Sequence, residues 1–176
     1  MDVRKWLGLK EDGQIEEPAP AKDNPRITLT DGSPVTEDHT DLRPDGQQKG
    51  YIVLSDAERA KGFVRPVRYS YRHVGARPIH PTRELTAEEH ERYDQYGYVL
   101  YEEYPPGVGP SGCFWTVERL KSGCGSVTTM GRALAETYAR DPKFYGGTFC
   151  CHCGKHFPVG EHGEFVWEGT DERVGT

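Results

Sequence analysis

Hydrophobic and polar residues alternate most regularly in the stretch GFVRPVRYSYRHVG, residues 62–75. A period of two is typical of a half-buried strand, because successive side chains of a strand point to opposite faces of the sheet. One face of this predicted strand carries Phe63, Val67, Tyr69, Tyr71 and His73. Pro66 has no backbone N–H to donate, so the pattern predicts an edge strand or a strand bulged at that point.

The rest of the chain alternates short helices with short strands. Ser55 with Glu58, and Thr86 with Glu89, have the spacing of helix-capping pairs and predict helices that begin there and end at Gly62 and Gly97. YGYVLYEEY, from residue 96, predicts a strand, and MGRALAETYARD, from residue 130, predicts a helix capped by Thr128 or Thr129. Since no regular βαβ units occur, we predict an α+β fold with short antiparallel strands and a few short helices.

The first fifty residues differ from the rest in composition. Between residues 11 and 50 there are five prolines, many acidic side chains and few large apolar ones. This composition predicts an extended or disordered N-terminal arm over residues 1–50, with a short helix at residues 3–10, and a folded domain over residues 51–176. Ile27 and Leu29 alternate with polar residues and are compatible with one strand in this arm.

Composition also bounds the size of the core and the compartment. Of the 176 residues, only 35% are hydrophobic, and 21 Gly plus 13 Pro favour turns. The core should therefore be small, and the fold should need additional stabilisation such as a bound metal ion. No apolar run is long enough to span a membrane, and the N-terminus lacks the apolar core of a signal peptide. We therefore expect a cytoplasmic protein without a membrane partner, in which cysteines bind metal more readily than they form disulfides.

The charge of the chain is unevenly spread. The net charge is −6, which excludes a protein that coats DNA by charge alone. Residues 51–83 are nevertheless basic, and nucleic acid remains a candidate partner through Arg65, Arg68, Arg72 and Arg77. The simpler interpretation is that the basic segment 51–83 neutralises the acidic stretch at residues 84–104.

The strongest chemical signal is Cys150-Cys151-His152-Cys153-Gly154, between two predicted strands. Two thiolates three residues apart can hold one metal ion when the chain turns tightly, and the following glycine permits the positive φ of such a turn. Cys124 is the best third ligand, because Gly125 follows it and repeats the Cys-Gly pattern. Unliganded buried cysteines and a redox pair are the alternatives, although Pro158 argues against the helix that a redox pair needs.

The fourth ligand is less certain from the sequence. His156 is favoured narrowly because it closes the shortest loop, His73 follows because it lies on the inward face of the predicted strand, and Cys113 comes third. We therefore predict a structural Zn²⁺ site formed by Cys124, Cys150, Cys153 and His156, with His73 and Cys113 as alternatives in the last position.

The run SGCGSVTTMGRALAETYARDPKFYGGTFCCHCGKHFP resembles uncharacterised small proteins encoded by bacteriophages and prophages, over about a fifth of the chain. The resemblance implies a zinc-ribbon-like module and an intracellular setting in an infected bacterium. It implies no enzymatic activity.

The function that the sequence favours is binding rather than catalysis. We predict a non-enzymatic, zinc-stabilised protein that binds a protein partner through residues 1–50, such as virion or host machinery in a phage setting. A nucleic-acid-associated zinc-ribbon protein is the first alternative. A metal-dependent hydrolase is the second, because His80, Glu89 and His90 place imidazoles and a carboxylate near one helix.

Overall fold

The computed structural model describes residues 24–176, which contain ten short strands and four short α-helices. The strands are β1 (Ile27–Leu29), β2 (Ile52–Leu54), β3 (Ser70–His73), β4 (Thr82–Glu84), β5 (Tyr98–Glu103), β6 (Gly112–Thr116), β7 (Val127–Thr129), β8 (Gly147–Cys150), β9 (Lys155–Pro158) and β10 (Phe165–Trp167). The helices are α1 (Asp56–Arg59), α2 (Ala87–Tyr93), α3 (Val117–Leu120) and α4 (Arg132–Arg140), with 3₁₀ turns at Glu37–Thr40 and Asp94–Tyr96.

The strands form four small sheets, and every pairing is antiparallel. β1 pairs with β2, β8 pairs with β9, and the two three-stranded sheets have the orders β10-β3-β7 and β4-β5-β6. This mixture of short helices and small antiparallel sheets agrees with the predicted α+β class. No helix within residues 24–176 is both long and apolar enough to cross a membrane.

The main core lies between the sheet β10-β3-β7, helix α4 and the hairpin β8-β9. Its buried members are Tyr71, Met130, Ala135, Tyr138, Cys150, Phe165, Trp167 and Val174. The aromatic rings meet edge to face, with the Tyr71 centroid 5.3 Å from that of Phe165 and the Tyr138 centroid 5.5 Å from that of Trp167. Edge-to-face packing of this kind adds to the stabilisation from apolar burial.

β3 differs from the prediction made for residues 62–75. It is the central strand of its sheet, not an edge, and it covers only Ser70–His73, so Pro66 lies before the paired region. The alternation is correct inside the strand, where Tyr71 and His73 are buried. It is wrong before the strand, where Phe63 and Tyr69 are exposed, because no sheet neighbour covers that part of the chain.

The predicted helix caps are confirmed in two cases and wrong in one. The Ser55 hydroxyl accepts from the N–H of Glu58, and Thr86 and Glu89 form a reciprocal capping box. α4 instead begins after Gly131 without a side-chain cap. Thr128 and Thr129 cannot cap it because both belong to β7, which pairs with β3.

The predicted N-terminal arm is described only from residue 24, so the helix expected at residues 3–10 lies outside the described residues. The strand at Ile27–Leu29 is confirmed: Ile27 pairs with Leu54, and the Ser55 N–H donates to the Arg26 carbonyl at 2.8 Å. A second hairpin follows, in which Leu42 bridges Gln48. Residues 26–29 are therefore hydrogen-bonded to β2 and Ser55, and residues 42–48 form a hairpin of their own.

Candidate metal centre

One histidine and three cysteines from separate parts of the chain meet at one point. They are His73 at the end of β3, Cys124 between α3 and β7, Cys150 at the end of β8 and Cys153 in the turn to β9. One ligand atom from each lies within 4.8 Å of the others. This cluster could hold a metal ion, and it brings together the three cysteines that the sequence analysis singled out.

Two Cys-Gly turns shape the cluster from opposite sides. Gly125 has φ 75° and Gly154 has φ 64°, which is the left-handed conformation expected after each cysteine. The Gly125 N–H donates to the carbonyl of His73 at 2.8 Å, so the Cys124 turn is tied to the end of β3. The Gly154 N–H donates to the carbonyl of Cys150 at 2.9 Å and closes the other turn.

The ligand atoms face one another at short range. The Cys124 and Cys150 sulfurs are 3.5 Å apart, and the Cys153 sulfur is 3.6 Å from Nδ1 of His73. The backbone N–H of Ser126 donates to the Cys124 sulfur at 3.4 Å, a contact that stabilises a thiolate. The three cysteine side chains and the histidine side chain thus converge on one centre, and no disulfide joins the cysteines.

The imidazole of His73 is fixed from its other side by a carboxylate. Its Nε2 lies 2.7 Å from Oε2 of Glu164, which leaves Nδ1 directed at the sulfurs. The ring is fully buried and packs between Phe157 and Phe165, with centroid distances of 4.4 and 4.9 Å. A carboxylate behind a histidine, with apolar rings around it, is a frequent support of a metal-binding imidazole.

The thiols influence one another's ionisation. Burial acts to raise the pKa of Cys124, but hydrogen bonds from Ser126, His73 and Cys150 outweigh it and lower the pKa to about 6. Burial, followed by the neighbouring thiols Cys150 and Cys124, raises the pKa of Cys153 to about 12. Several thiolates are thus unfavourable together in this space unless a cation compensates their charge.

His156, the narrowly favoured fourth ligand in the sequence analysis, does not lie in this cluster. Its Nε2 is 2.9 Å from the hydroxyl of Tyr51, and its ring is beside that of Phe149. The reason is local: His156 lies on β9 opposite Phe149, after the turn that holds Cys153. The shorter loop closure was therefore outweighed by strand geometry, and His73, the second choice, has the position inside the cluster.

The remaining candidates for the cluster lie elsewhere. Cys113 is on β6, where its thiol faces Oε2 of Glu102 at 3.5 Å. Cys151 is exposed, and its thiol faces the carbonyl of Val127 at 3.4 Å. His152 is also exposed. Glu164 was missed, because a single acidic residue has no spacing pattern that connects it with a histidine ninety-one residues earlier.

Three of the four arginines that suggested nucleic acid are engaged with acidic or carbonyl groups. Arg68 forms an ion pair with Glu172, and Nη2 of Arg72 lies 2.7 Å from Oε1 of Glu168. Arg65 donates to the carbonyl of Thr176 at 3.3 Å. Arg83, in the same basic stretch, pairs with Glu89 and Glu103, so the predicted neutralisation of residues 84–104 holds at that residue. The acids that pair with Arg68 and Arg72 lie in the C-terminal segment instead.

The acidic helix that suggested a hydrolase is explained by its own pairs. Glu89 accepts from Arg83 and from the N–H of Thr86, which lowers its pKa to about 2. His90 pairs with Asp94 at 2.8 Å, and Arg92 approaches Glu88 at 3.4 Å. The last two are i,i+4 pairs on an exposed helix face, and the first joins the helix to β4.

Comparison of the chain with protein-family models, with curated proteins and with solved structures finds no match in any of the three. The site is therefore interpreted from its own geometry.

Proposed function

We propose that His73, Cys124, Cys150 and Cys153 bind one Zn²⁺, and that the protein is a non-enzymatic, zinc-stabilised binding protein. The observation that carries the proposal is the convergence of three sulfurs and one imidazole nitrogen within 4.8 Å. Zinc takes four ligands in tetrahedral geometry at about 2.3 Å from sulfur, so two bound sulfurs should be about 3.8 Å apart. The sulfurs of Cys124 and Cys150, 3.5 Å apart, are close to this edge length. The Cys153 sulfur and Nδ1 of His73, 3.6 Å apart, match the sulfur–nitrogen edge of about 3.6 Å that follows from a Zn–N distance of about 2.05 Å.

A structural role fits this donor set better than a catalytic one. Three thiolates and a histidine complete a tetrahedral shell, whereas catalytic zinc keeps one position for water or substrate. His73 and Cys150 are fully buried. Glu164 is hydrogen-bonded to Nε2 of His73, on the side of the ring away from the sulfurs, and so acts as a support for the ring.

Zinc at this point would join segments that are distant in sequence. His73 comes from the central strand, Cys124 from the loop before β7, and the other two from the β8-β9 turn. The two facing Cys-Gly turns support the zinc-ribbon-like arrangement expected from the resemblance to phage-encoded proteins. In a domain with a small core, the free energy of zinc binding becomes free energy of folding.

The binding role rests on the N-terminal residues. Trp6, Leu7 and Leu9 give an acidic and proline-rich segment one apolar end, which is typical of a segment that binds another protein surface. In the proposed phage setting, that surface belongs to the virion or to host machinery in the bacterial cytoplasm. Nucleic acid is a weaker candidate, since Arg68 and Arg72 are already paired with carboxylates.

Metal analysis of the purified full chain tests the proposal directly. We expect about one zinc per chain, and the visible absorption of tetrahedral thiolate-bound cobalt after exchange with Co²⁺. Cys150→Ser and Cys153→Ser should lose the metal together with cooperative unfolding. Cys151→Ser is the matched control, because Cys151 is in the same turn but exposed, and it should keep both. Metal-free protein with unchanged stability would contradict the proposal.

The partner requires a separate test. Full-length protein should capture a protein from infected cells that a chain beginning at residue 24 does not capture. Binding that instead follows the concentration of added nucleic acid, and weakens steeply with salt, would favour the nucleic-acid alternative.

A further inference from the structure

A cavity of about 350 Å³ opens beside β7, α4 and β8. We call it the tyrosine cavity, after the aromatic residues in its wall; six of its lining residues are Tyr71, Tyr138, Tyr145, Met130, Leu134 and Phe149. Pockets of this size, apolar with a few hydrogen-bonding groups, are typical sites for small molecules.

The wall of the tyrosine cavity has no charged residue among the described residues that line it. Its polar groups are hydroxyls, such as those of Thr128 and Thr148, and the amide of Gln47. A charged ligand would lose its hydration there without gaining a counter-charge. The cavity therefore favours an uncharged ligand.

One tyrosine hydroxyl in the wall has no partner within hydrogen-bond distance, although the hydroxyl of Thr148, which lines the same cavity, is near it. The hydroxyl of Tyr138 is buried and, within residues 24–176, is the one buried side-chain nitrogen or oxygen without a hydrogen-bond partner. The neighbouring tyrosines differ: Tyr71 donates to the carbonyl of Phe149 at 2.6 Å, and Tyr145 donates to the carbonyl of Ile52 at 2.8 Å. Unpaired buried donors are rare in proteins and usually indicate a missing partner.

The volume of the cavity and its aromatic wall indicate the size and shape of the ligand. A dry apolar cavity of about 150 Å³ is large enough for benzene, so the tyrosine cavity has room for one substituted ring. The rings of Tyr138 and Tyr145 lie 4.7 Å apart in the wall, and aromatic walls of this kind pack well against planar molecules. We propose that the tyrosine cavity binds a small, uncharged aromatic molecule that carries a hydrogen-bond acceptor for Tyr138.

Two probes of nearly equal shape test the charge requirement. Benzamide is neutral and benzoate is anionic, and both offer an acceptor oxygen on a single ring. Titrating each into the zinc-loaded full chain and following backbone amide NMR signals should give shifts clustered at Gly131, Gly147 and Thr148 for benzamide. We expect benzoate to bind at least tenfold more weakly. Equal affinities, or shifts scattered over the surface, would overturn the proposal.

The acceptor requirement is tested by removing one hydroxyl. Tyr138→Phe keeps the ring but should weaken benzamide binding about fivefold, as expected for the loss of one hydrogen bond. Tyr101→Phe is the matched control, since its hydroxyl faces Ser111 at 3.2 Å in another sheet, and it should leave the affinity unchanged. Unchanged affinity in Tyr138→Phe would exclude Tyr138 as the donor. Zinc per chain, measured in the same samples, separates failure of the cavity from failure of the metal site.

Discussion

Gly46 and Gly154 meet backbone to backbone, which joins the N-terminal segment to the turn that follows Cys153. A Cβ atom built on Gly46 would lie 2.0 Å from the carbonyl oxygen of Gly154, a distance that no real Cβ contact shows. The hairpin in which Leu42 bridges Gln48 therefore packs directly on the proposed metal turn. Residues before the predicted domain boundary thus pack against the turn that carries Cys153.

The first prediction concerns this contact. Gly46→Ala should destabilise the protein by more than the ~1–2 kcal/mol expected for a side chain in the left-handed region alone, because the backbone of Gly154 must also move. Gly32→Ala is the matched control: both glycines have φ 85°, but nothing lies near a Cβ at Gly32. Urea unfolding of both variants measures the difference. Equal losses in the free energy of unfolding would mean that the hairpin shifts to make room for the Cβ atom without disturbing the turn.

The second prediction concerns where the N-terminal arm ends. A chain that begins at residue 24 keeps β1 and the Gly46 contact, and it should unfold at nearly the same denaturant concentration as the full chain. A chain that begins at residue 49 loses the pairing of Ile27 with Leu54 and should unfold clearly earlier. Chemical denaturation of the two truncations checks both statements. If the shorter chain is equally stable, the boundary predicted at residue 50 is correct after all.

Local sequence patterns predicted those features of the fold that depend on interactions between residues close together in the sequence. The caps at Ser55 and Thr86 depend on atoms three residues apart, and both are present. The central position of β3 could not be predicted, because its neighbours β7 and β10 are defined only by pairing across more than fifty residues. The missed cap of α4 has the same origin, since strand pairing removed Thr128 from the helix.

The residues of the candidate site likewise differ in whether the local sequence identifies them. Cys150 and Cys153 were identifiable from spacing and Cys124 from its glycine, because each Cys-Gly turn is a local conformation. The choice between His73 and His156 depended on which strand runs beside the β8-β9 turn, and a loop-entropy difference of about 2 kcal/mol is small beside zinc binding. Glu164 directly precedes β10, and it reaches His73 only because β10 pairs with β3.

The third prediction separates the two histidines. His73→Ala should reduce zinc affinity by orders of magnitude, because it removes a ligand from the centre of the cluster. His156→Ala should reduce it little, since that ring faces Tyr51. Competition with a chromophoric chelator measures both affinities. A larger loss in His156→Ala would restore the ligand set first favoured by the sequence.

The fourth prediction concerns the carboxylate behind His73. Glu164→Gln should weaken zinc binding about 10–100-fold, as expected when a carboxylate that orients a ligating histidine is replaced. Glu161→Gln, three residues earlier and exposed, should leave the affinity unchanged. The same chelator competition compares the two variants. No loss in Glu164→Gln would show that Phe157 and Phe165 alone hold the ring in place.

The last prediction concerns Glu102, a buried acid in the sheet β4-β5-β6. Its carboxylate accepts from the N–H groups of Ile79 at 2.6 Å and His80 at 2.8 Å, and from Nε1 of Trp115 at 2.7 Å. Burial acts to raise its pKa, but these hydrogen bonds outweigh it and hold the pKa below the usual range.

A folded-state pKa below that of the unfolded chain means that Glu102 contributes stability above the unfolded pKa, near 4.3, and that this contribution is lost as the pH falls through the lower folded pKa. Glu102→Gln replaces one acceptor oxygen by a donor, so it should destabilise the protein by about 2–3 kcal/mol at pH 7 and flatten the pH dependence between roughly pH 5 and 3. Glu103→Gln, its exposed neighbour, should change little. Acid also releases metal from thiolates, but it does so in all three proteins, so the comparison of their urea unfolding across this pH range isolates Glu102. Parallel pH profiles for the wild type and Glu102→Gln would mean that the carboxylate is not ionised in the folded protein.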